Sequence, residues 1–248
     1  MNLRIDLLRE LASAKHAMAL TGAGISAESG VPTFRGADGL WSRLNPQELA
    51  SFDAFLRNPD LVTEWYNHRR EIANHAVPNG GHLALVQMET LFPDFTLVTQ
   101  NIDNLHRRAG SKNVVELHGN IERNYCIECG KRYDGDAFEE NESFKCPACG
   151  GLVRPDIVWF GEMLPADEWK RAEFAARKAE VIFVVGTSAV VYPAAELPVT
   201  VKQNGGKIIE VNIEATPLSS IADATLQGPA SEILSDIVKQ LMELQGIA

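Results

Sequence analysis

The sequence predicts an α/β fold built on a parallel sheet, because two kinds of segment alternate along the chain. Short apolar runs rich in β-branched residues alternate with longer stretches of helical periodicity, which is the pattern of strands joined by crossover helices. Two further regions break this rhythm and are interpreted as insertions. With 248 residues, of which 45% are hydrophobic, the chain is long enough to bury an extended core.

Each strand is predicted from a short apolar run that ends in small or polar residues. The two strongest are EVIFVVGTS and KIIEVNIE. HAMALTG and FTLVTQNID follow the same pattern, and VVELHGN and DIVWFGE are shorter candidates. Helical periodicity is found in ADEWKRAEFAARKA and ASEILSDIVKQLMELQG, so helices are expected to connect and follow the strands.

The two insertions differ in character. The first, residues 37–75, has a helical pattern with Pro46 and Pro59 as breaks. The second, residues 121–155, contains all four cysteines of the chain. The remaining segments are assigned to the sheet domain: residues 1–36, 76–120 and 156–248.

The cysteines form two C-x-x-C pairs, Cys126 with Cys129 and Cys146 with Cys149, separated by residues 130–145. This spacing is typical of a structural zinc site, in which four thiolates leave no open position on the metal. The segment has few large apolar residues, so metal binding would supply stabilisation that burial does not. A redox dithiol and two disulfides are the alternatives. Zinc is preferred because redox C-x-x-C pairs usually occur singly at the start of a helix.

Charge and hydropathy limit the class of protein. A net charge of −10 argues against general binding to nucleic acid. No apolar run approaches the roughly 18 residues that a membrane span needs. The N-terminal stretch carries Asp6 and Glu10 and lacks an uninterrupted apolar run, so it is not interpreted as a signal peptide. We therefore expect a cytoplasmic protein whose thiols stay reduced.

A glycine-rich turn follows the first predicted strand. Its sequence GAGISA, residues 22–27, fits G-x-G-x-x-[GA] between a strand and a helix, where backbone amides can approach a pyrophosphate. Taken alone, this motif fits an ordinary tight turn about as well. The acidic residue of ordinary dehydrogenase sites, expected about 20 residues further on, is absent. Three other strands also end in residues suited to a dinucleotide: Gln100, Asn101 and Asp103; Gly186, Thr187 and Ser188; Asn212 and Glu214.

A series of motifs occurs along the chain in a characteristic order: GAGISAESGVPTFRG, TQNIDNLHRRAG, ELHGN, the paired cysteines, VWFGE, GTS and VNIE. In this combination the chain resembles the sirtuins, the NAD-dependent protein-lysine deacylases. The resemblance extends roughly from His16 to Ala230 and does not depend on a single motif. It implies a large Rossmann-type domain, a small module made of the helical insertion and a four-cysteine zinc ribbon, and a cleft for acylated lysine between them.

The resemblance also implies roles for the residues at the strand ends. The acyl oxygen of the substrate lysine would displace nicotinamide from NAD, and His118 would be the general base. Asn101 and Asp103 would be catalytic residues at the nicotinamide pocket, and Phe34 would cover the ribose. Without the resemblance, His118 would be interpreted as a structural histidine at a strand end. The residues implied to bind NAD are Gly22, Ala23, Gly24, Ser26, Ala27, Thr33, Phe34, Arg35, Trp41, Gln100, Asn101, Ile102, Asp103, Gly186, Thr187, Ser188, Asn212, Ile213, Glu214 and Ala230.

The substrate peptide is implied to bind to VWFGE, a segment that resembles the one with which an extended peptide pairs as an added strand. A plain sheet strand is the alternative interpretation of this segment. Its residues are Val158, Trp159, Phe160, Gly161 and Glu162.

Tyr66 and Arg69 are the residues from which the preferred acyl group is predicted. Spaced i, i+3, they share one face of a helix and offer a hydroxyl and a guanidinium to a carboxylate. Thr33 replaces the Asp of many sirtuins. With these three residues the chain resembles the desuccinylase-like subclass, which includes bacterial relatives, so acetyl, succinyl and malonyl groups are the expected substrates. The alternative is an amphipathic helix whose Arg69 faces water.

The expected activity is therefore release of nicotinamide, free lysine and O-acyl-ADP-ribose from NAD and an acylated protein or peptide. One structural Zn(II) is expected, and no membrane partner. Two other functions stay open: mono-ADP-ribosyl transfer to protein, and a non-catalytic sensor that binds NAD. Because His118, Asn101 and Asp103 are all present, the enzyme is favoured.

Overall fold

The structure, a computed structural model, describes residues 3–34, 39–40, 45–134 and 145–247. It contains a six-stranded parallel sheet and a three-stranded antiparallel sheet. The large sheet consists of β1 (His16–Thr21), β2 (Asp94–Thr99), β3 (Val114–Glu116), β7 (Val181–Val185), β8 (Lys207–Asn212) and β9 (Ala224–Gln227), and the small sheet of β4 (Gly119–Cys126), β5 (Arg132–Asp134) and β6 (Val153–Ile157).

Helices cover both faces of the large sheet. The α-helices are α1 (Ile5–Ser13), α2 (Gly24–Ala27), α3 (Pro46–Leu49), α4 (Phe52–Arg57), α5 (Pro59–His75), α6 (Gly80–Leu91), α7 (Leu105–Ala109), α8 (Ala166–Lys178), α9 (Glu196–Gln203) and α10 (Ala230–Gln245). Helices α1, α6 and α10 pack on one face, where Ala17 and Ala19 point, and α8 and α9 pack on the other, where Met18 and Leu20 point. This alternation follows from the two-residue period of a strand and confirms the predicted α/β fold.

The order of the strands in the large sheet is β3-β2-β1-β7-β8-β9. The chain builds outwards from β1 in one direction and from β7 in the other, so the topology reverses between these two strands. In open parallel sheets, ligands bind beyond the carboxyl ends of the strands at such a point. The glycine-rich turn after β1 and the Gly186 turn after β7 therefore lie side by side.

The helical insertion contains α3, α4 and α5, which confirms its helical character. The two prolines do not break helices here; Pro46 and Pro59 occupy the first turns of α3 and α5, where a missing N–H has no cost. The side chains of Asn45 and Asn58 cap these helices by accepting from backbone amides at 3.0 and 3.3 Å. Phe55, Val62 and Tyr66 belong to a core cluster that also includes residues of β4 and β6, so this insertion packs against the small sheet.

Two predicted strands are wrong in detail. In VVELHGN, β3 ends at Glu116 and β4 begins at Gly119 in the other sheet. In DIVWFGE, β6 ends at Ile157, and residues 158–162 are irregular. Of the apolar residues in the second run, Ile157 and Trp159 are buried in the core cluster shared with the helical insertion, whereas Phe160 is exposed. The assignment of the chain to segments 1–36, 37–75, 76–120, 121–155 and 156–248 stays a prediction.

Within the described residues, no helix has both the length and the apolar character that crossing a membrane requires.

Strand β9 and helix α6 complete the large sheet and its cover, and neither was predicted from the sequence. Strand β9 is short and half-exposed, which leaves a weak periodicity. Helix α6 is apolar around most of its circumference, so it lacks a clear amphipathic pattern.

Candidate active site

A cleft of about 1070 Å³ opens at the carboxyl ends of β1 and β7 and extends to the helical insertion and the small sheet. Most of the predicted site residues line it: Gly22, Ala23, Gly24, Ala27, Thr33, Phe34, Tyr66, Gln100, Asn101, Ile102, His118, Val158, Trp159, Phe160, Gly161, Glu162, Gly186, Thr187, Ser188, Asn212, Ile213, Glu214 and Ala230. Ser26, Asp103 and Arg69 are buried behind this wall. Arg35 and Trp41 lie outside the described residues.

The turns after β1 and β7 are in direct backbone contact. Gly24 donates its N–H to the Gly186 carbonyl at 2.8 Å, and Gly22 donates to Val185 at 3.0 Å. A Cβ on Gly24 would lie 2.7 Å from the Cα of Gly186, and Gly186 itself has φ +59. Only glycine permits this approach. The result is a floor of bare backbone at the cleft, of the kind that accommodates a pyrophosphate.

A buried polar cluster supports this floor. Ser26 Oγ donates to Asp103 Oδ2 at 2.7 Å, and Asn101 Nδ2 donates to Ser26 Oγ at 3.2 Å and to the Gly22 carbonyl at 3.1 Å. Leu105 N–H donates to the other Asp103 oxygen at 3.0 Å. Burial raises the pKa of the Asp103 carboxyl, an effect that these donors and the charges of nearby arginines partly offset. The cluster joins the predicted residues Ser26, Asn101 and Asp103 in one hydrogen-bonded unit.

The neighbouring strand ends are joined in the same way. Gln100 Nε2 donates to Thr187 Oγ1 at 3.0 Å, and Asn212 Nδ2 donates to the Thr187 carbonyl at 3.0 Å. Three predicted residues from β2, β7 and β8 thus form one row along the cleft floor. Ser188, Ile213 and Glu214 follow them on the same rim and stay accessible.

His118 lies between β3 and β4, half-buried in the wall of the cleft. Its Nδ1 lies 3.0 Å from the Gln100 carbonyl oxygen. Because a carbonyl can only accept, Nδ1 carries the proton, and the lone pair of the neutral ring is on Nε2. A histidine held in this tautomer is suited to accept a proton from a hydroxyl.

Tyr66 and Arg69 both face the interior of the small module, so the interpretation of Arg69 as a water-facing residue is wrong. Their side chains are buried, and the Arg69 guanidinium lies 4.5 Å from the centre of the Phe34 ring and 5.1 Å from that of Trp65. Arg69 Nε has no hydrogen-bond partner in the described part of the chain. Burial raises the pKa of Tyr66 and lowers that of Arg69, whose charge Asp103 helps to stabilise.

Residues 158–162 line the cleft as an irregular segment, and the interpretation as a plain strand is wrong. Several of its amides are already used within the chain. Val158 donates to the His118 carbonyl at 3.0 Å, and Phe160 to the Ala50 carbonyl at 2.9 Å. Any added peptide strand would therefore depend on the carbonyl groups of this segment and on the opposite rim.

The four cysteine sulfurs all lie within 4.8 Å of one another. Sγ atoms of Cys126 and Cys149 are 3.5 Å apart, and those of Cys129 and Cys146 are 3.7 Å apart. A tetrahedron with Zn–S bonds of about 2.3 Å has edges of about 3.8 Å, so the thiols fit one zinc ion. Each C-x-x-C pair is closed by a glycine amide that donates to the carbonyl of the first cysteine, at 2.9 Å from Gly130 and at 2.8 Å from Gly150.

Two buried histidines beneath the cleft were given no role by sequence reasoning. His106 Nε2 lies 2.9 Å from Thr21 Oγ1, which donates to Thr99 Oγ1 at 2.8 Å, and Thr99 in turn accepts from Asn101 N–H at 3.0 Å. The His82 ring packs against that of His106 at a tilt of 55°, with ring centres 4.9 Å apart. Burial lowers the pKa of His82 to about 4 and that of His106 well below its ordinary value. Neither has a sequence signal beyond that of an isolated histidine.

Comparison with known proteins agrees with this geometry. The model of the Sir2 family matches residues 22–193. An NAD-dependent protein deacylase of Aquifex aeolicus is 55% identical over 228 residues, 92% of this chain and 95% of that protein, and one of Pyrococcus abyssi is 50% identical over 246 residues, 97% and 98%.

Solved structures are similar over the same length. A Sir2 homologue mutant in complex with ADP-ribose has a TM-score of 0.95 and 46% identity over 99% of both chains. A Sir2–p53 peptide–NAD+ complex has a TM-score of 0.87 and 36% identity over 100% of both chains.

The contact between the two turns predicts an asymmetry between two glycine substitutions. Gly205→Ala puts a Cβ at φ +86 with no atom within 4 Å, so it should cost about 1–2 kcal/mol of strain alone. Gly186→Ala adds a Cβ that would lie 2.4 Å from Ile25 N, and overpacking brings the expected loss to about 3 kcal/mol or more. Urea unfolding of both variants measures the difference. Equal losses would mean that the contact contributes nothing beyond strain.

The thiol cluster predicts that Cys126→Ala lowers both zinc content and stability. Cys126 is buried, and its loss leaves three ligands for a metal that stabilises a segment with little core of its own. Elemental analysis should find about one zinc per wild-type chain and a clear deficit in the variant. A wild-type protein without zinc that keeps its melting temperature in chelator would exclude a structural metal.

Proposed function

The chain belongs to the Sir2 family, and we propose that it removes acyl groups from lysine side chains of proteins in a reaction that consumes NAD. The single observation that carries this proposal is the convergence of three sets of residues on one cleft. His118, the hydrogen-bonded unit around Asn101, and residues 158–162 all border the glycine floor. The peptide–NAD+ complex to which the chain is similar has the same architecture, and the NAD-dependent deacylases are similar to the chain in sequence over nearly its whole length.

The residues present fit NAD. Backbone without side chains lies at Gly22, Gly24 and Gly186, where a Cβ would meet other backbone atoms, and the row from Gln100 to Asn212 offers amides to ribose hydroxyls. Bound NAD would supply a ribose with nicotinamide as its leaving group. The protein supplies orientation and exclusion of water, because Phe34, Ile102 and Trp159 place apolar surface around the ribose end of the cleft.

His118 is proposed to be the general base. Its Nδ1–H is committed to the Gln100 carbonyl, so Nε2 is the atom that takes a proton from a hydroxyl bound in the cleft. Asn101 and Asp103 act through the hydrogen-bonded unit that they form with Ser26. Asn101 Nδ2 is fixed by the Gly22 carbonyl and Ser26, which leaves its amide oxygen for the ligand, and Asp103 holds Ser26 in place. Asp103 is thereby assigned a positioning role rather than direct contact.

Tyr66 and Arg69 are proposed to select acyl groups that end in a carboxylate, such as succinyl and malonyl, while the smaller acetyl group still fits. Tyr66 lines the cleft, and Arg69 lies beside Phe34 with an Nε–H that has no acceptor among the described residues. A buried guanidinium without a hydrogen-bonded carboxylate is costly unless a ligand provides one. The physiological partners would be acylated proteins, bound through an extended stretch around the modified lysine.

His118→Ala should reduce deacylation of an acetyl-lysine peptide by about 10²–10⁴-fold, the usual effect of removing a general base. Binding of NAD, measured by calorimetry, should stay within a few-fold of wild type, because the ring is held at the wall of the cleft by the Gln100 carbonyl and the glycine floor is unchanged. His68→Ala is the matched control, since His68 is exposed on α5. Deacylation by His118→Ala at the wild-type rate would remove this residue from the mechanism.

The same assay identifies the reaction. Mass spectrometry of the products should find O-acyl-ADP-ribose and free lysine in equal amounts. Transfer of ADP-ribose to protein, or NAD binding without release of nicotinamide, would contradict the proposed activity.

Arg69→Met should weaken desuccinylation by about 2–5 kcal/mol of transition-state binding, because a carboxylate would then be buried without its partner. Deacetylation should change little. Arg57→Met, which removes an exposed arginine of the same insertion at the end of α4, is the control. Comparison of kcat/KM on succinyl- and acetyl-lysine peptides of one sequence measures the effect. Equal losses on both peptides would show that Arg69 supports the fold or Asp103 rather than the acyl group.

A further inference from the structure

Residues 158–162 line the cleft without the support of a sheet. β6 ends just before them, and their backbone is tied to two separate parts of the molecule, the His118 carbonyl and the Ala50 carbonyl. Gly161 turns the chain with φ +88. Among the described residues no neighbouring strand supplies a regular ladder of hydrogen bonds, so side chains are needed besides these two backbone contacts to fix the shape of the segment.

One buried side chain contacts the segment at Trp159 and Glu162 and also contacts the residue that precedes it. Arg154, in β6, has a side chain that is 1% exposed. Its guanidinium forms a bidentate pair with the Glu162 carboxylate, with Nη2 3.0 Å from Oε2, and Nη2 also donates to the Ile157 carbonyl at 2.8 Å. Its centre lies 3.4 Å from the centre of the Trp159 ring. The last residue of β6, Trp159 within the segment and Glu162 at its end therefore meet on one guanidinium.

Glu162 and Trp159 are also hydrogen-bonded to each other within the segment. Glu162 Oε2 accepts from the Trp159 N–H at 2.8 Å, and the Glu162 N–H donates to the Trp159 carbonyl at 3.1 Å. The Trp159 ring packs against Phe55 and Tyr66, with centre distances of 5.3 and 6.0 Å. Because the two rings are packed together, the position of the indole limits that of Tyr66, which lies at the wall of the cleft where the acyl group is proposed to bind.

We propose that Arg154 is a positioning residue for the acylated peptide. It holds residues 158–162 in the shape that receives the peptide, and it sets the position of Trp159 against Tyr66. Arg154 does not itself line the cleft, so it acts only through these residues. A lysine could not replace it, because a single ammonium cannot form the bidentate pair and present a planar face to the indole at once. This inference rests on the proposed deacylase function.

The test removes both members of the pair, because a buried charge left without its partner would destabilise the fold by itself. Arg154→Met with Glu162→Gln keeps the volume of both side chains and removes both charges. Arg132→Met is the control, since Arg132 lies in the same small sheet and its ion pair with Asp156 is exposed. If the double variant does not fold, Arg154→Lys, which keeps a positive charge opposite Glu162 but cannot form the bidentate pair, serves in its place.

The expected result is a rise of about tenfold or more in KM for an acetyl-lysine peptide, with kcat changed by less than about threefold. The affinity for ADP-ribose should stay at the wild-type value. Arg154→Lys should not restore the KM, whereas a residue needed only for its charge would be rescued. A double variant with the wild-type KM would overturn the proposal.

Amide hydrogen exchange gives a second readout that needs no activity. The amides of Trp159, Phe160 and Glu162 should exchange about tenfold faster or more in the double variant, with no change in β1. Unchanged protection of these amides would overturn the positioning role. A wild-type protein that neither binds nor deacylates the peptide would instead refute the proposed function, and the exchange measurement would still decide whether Arg154 fixes the segment.

Discussion

The contact between the turns after β1 and β7 is the constraint on which the site depends. Gly24 and Gly186 touch backbone to backbone, and a hydrogen bond of 2.8 Å joins them. This contact fixes the spacing of the two strand ends at the point where the topology of the sheet reverses. Once that spacing is set, residues that follow β1, β2, β7 and β8 face one cleft, and the row from Gln100 to Asn212 follows from geometry.

The small module depends on different forces. Its helical part buries Phe55, Val62 and Tyr66 against Trp159, which is ordinary hydrophobic packing. The cysteine end has a core cluster of three buried residues, with Tyr133 packed against it. This cluster buries little apolar area. Four thiols at zinc-binding spacing would let a bound metal supply the stabilisation that burial does not. Because β4 and β6 connect the two ends, stabilisation from a metal would extend to residues 158–162 and so to the rim of the cleft.

How far the sequence predicted this site depends on how local each signal is. The cysteine pairs and the glycine turn are local patterns with a direct physical meaning, and the structure brings the thiols together and the turn to the cleft. The path of residues 158–162 could not be predicted, because it is fixed by Arg154 from a preceding strand. Nor could periodicity decide whether Arg69 faces water. Helix α5 buries Arg69 and Arg70 against different neighbours, the first beside Phe34 and the second on the Ile121 carbonyl.

Buried charges show where the molecule favours orientation over stability. Among the described residues, the buried acidic and basic side chains are Arg69, Arg70, Asp103, Glu116, Arg154 and Glu210. Arg69, Asp103 and Glu116 lie where the large sheet meets the small module, whereas Arg70 and Arg154 lie within the small module. A buried ion pair is often no more stabilising than apolar residues of the same volume, but it permits one geometry rather than several. Charges at this junction therefore contribute little net stability and much precision. Glu116 joins the end of β3 to Arg123 of β4, and Arg154 with Glu162 holds Trp159 against Tyr66, so that parts of the cleft supplied by separate elements keep one relative position.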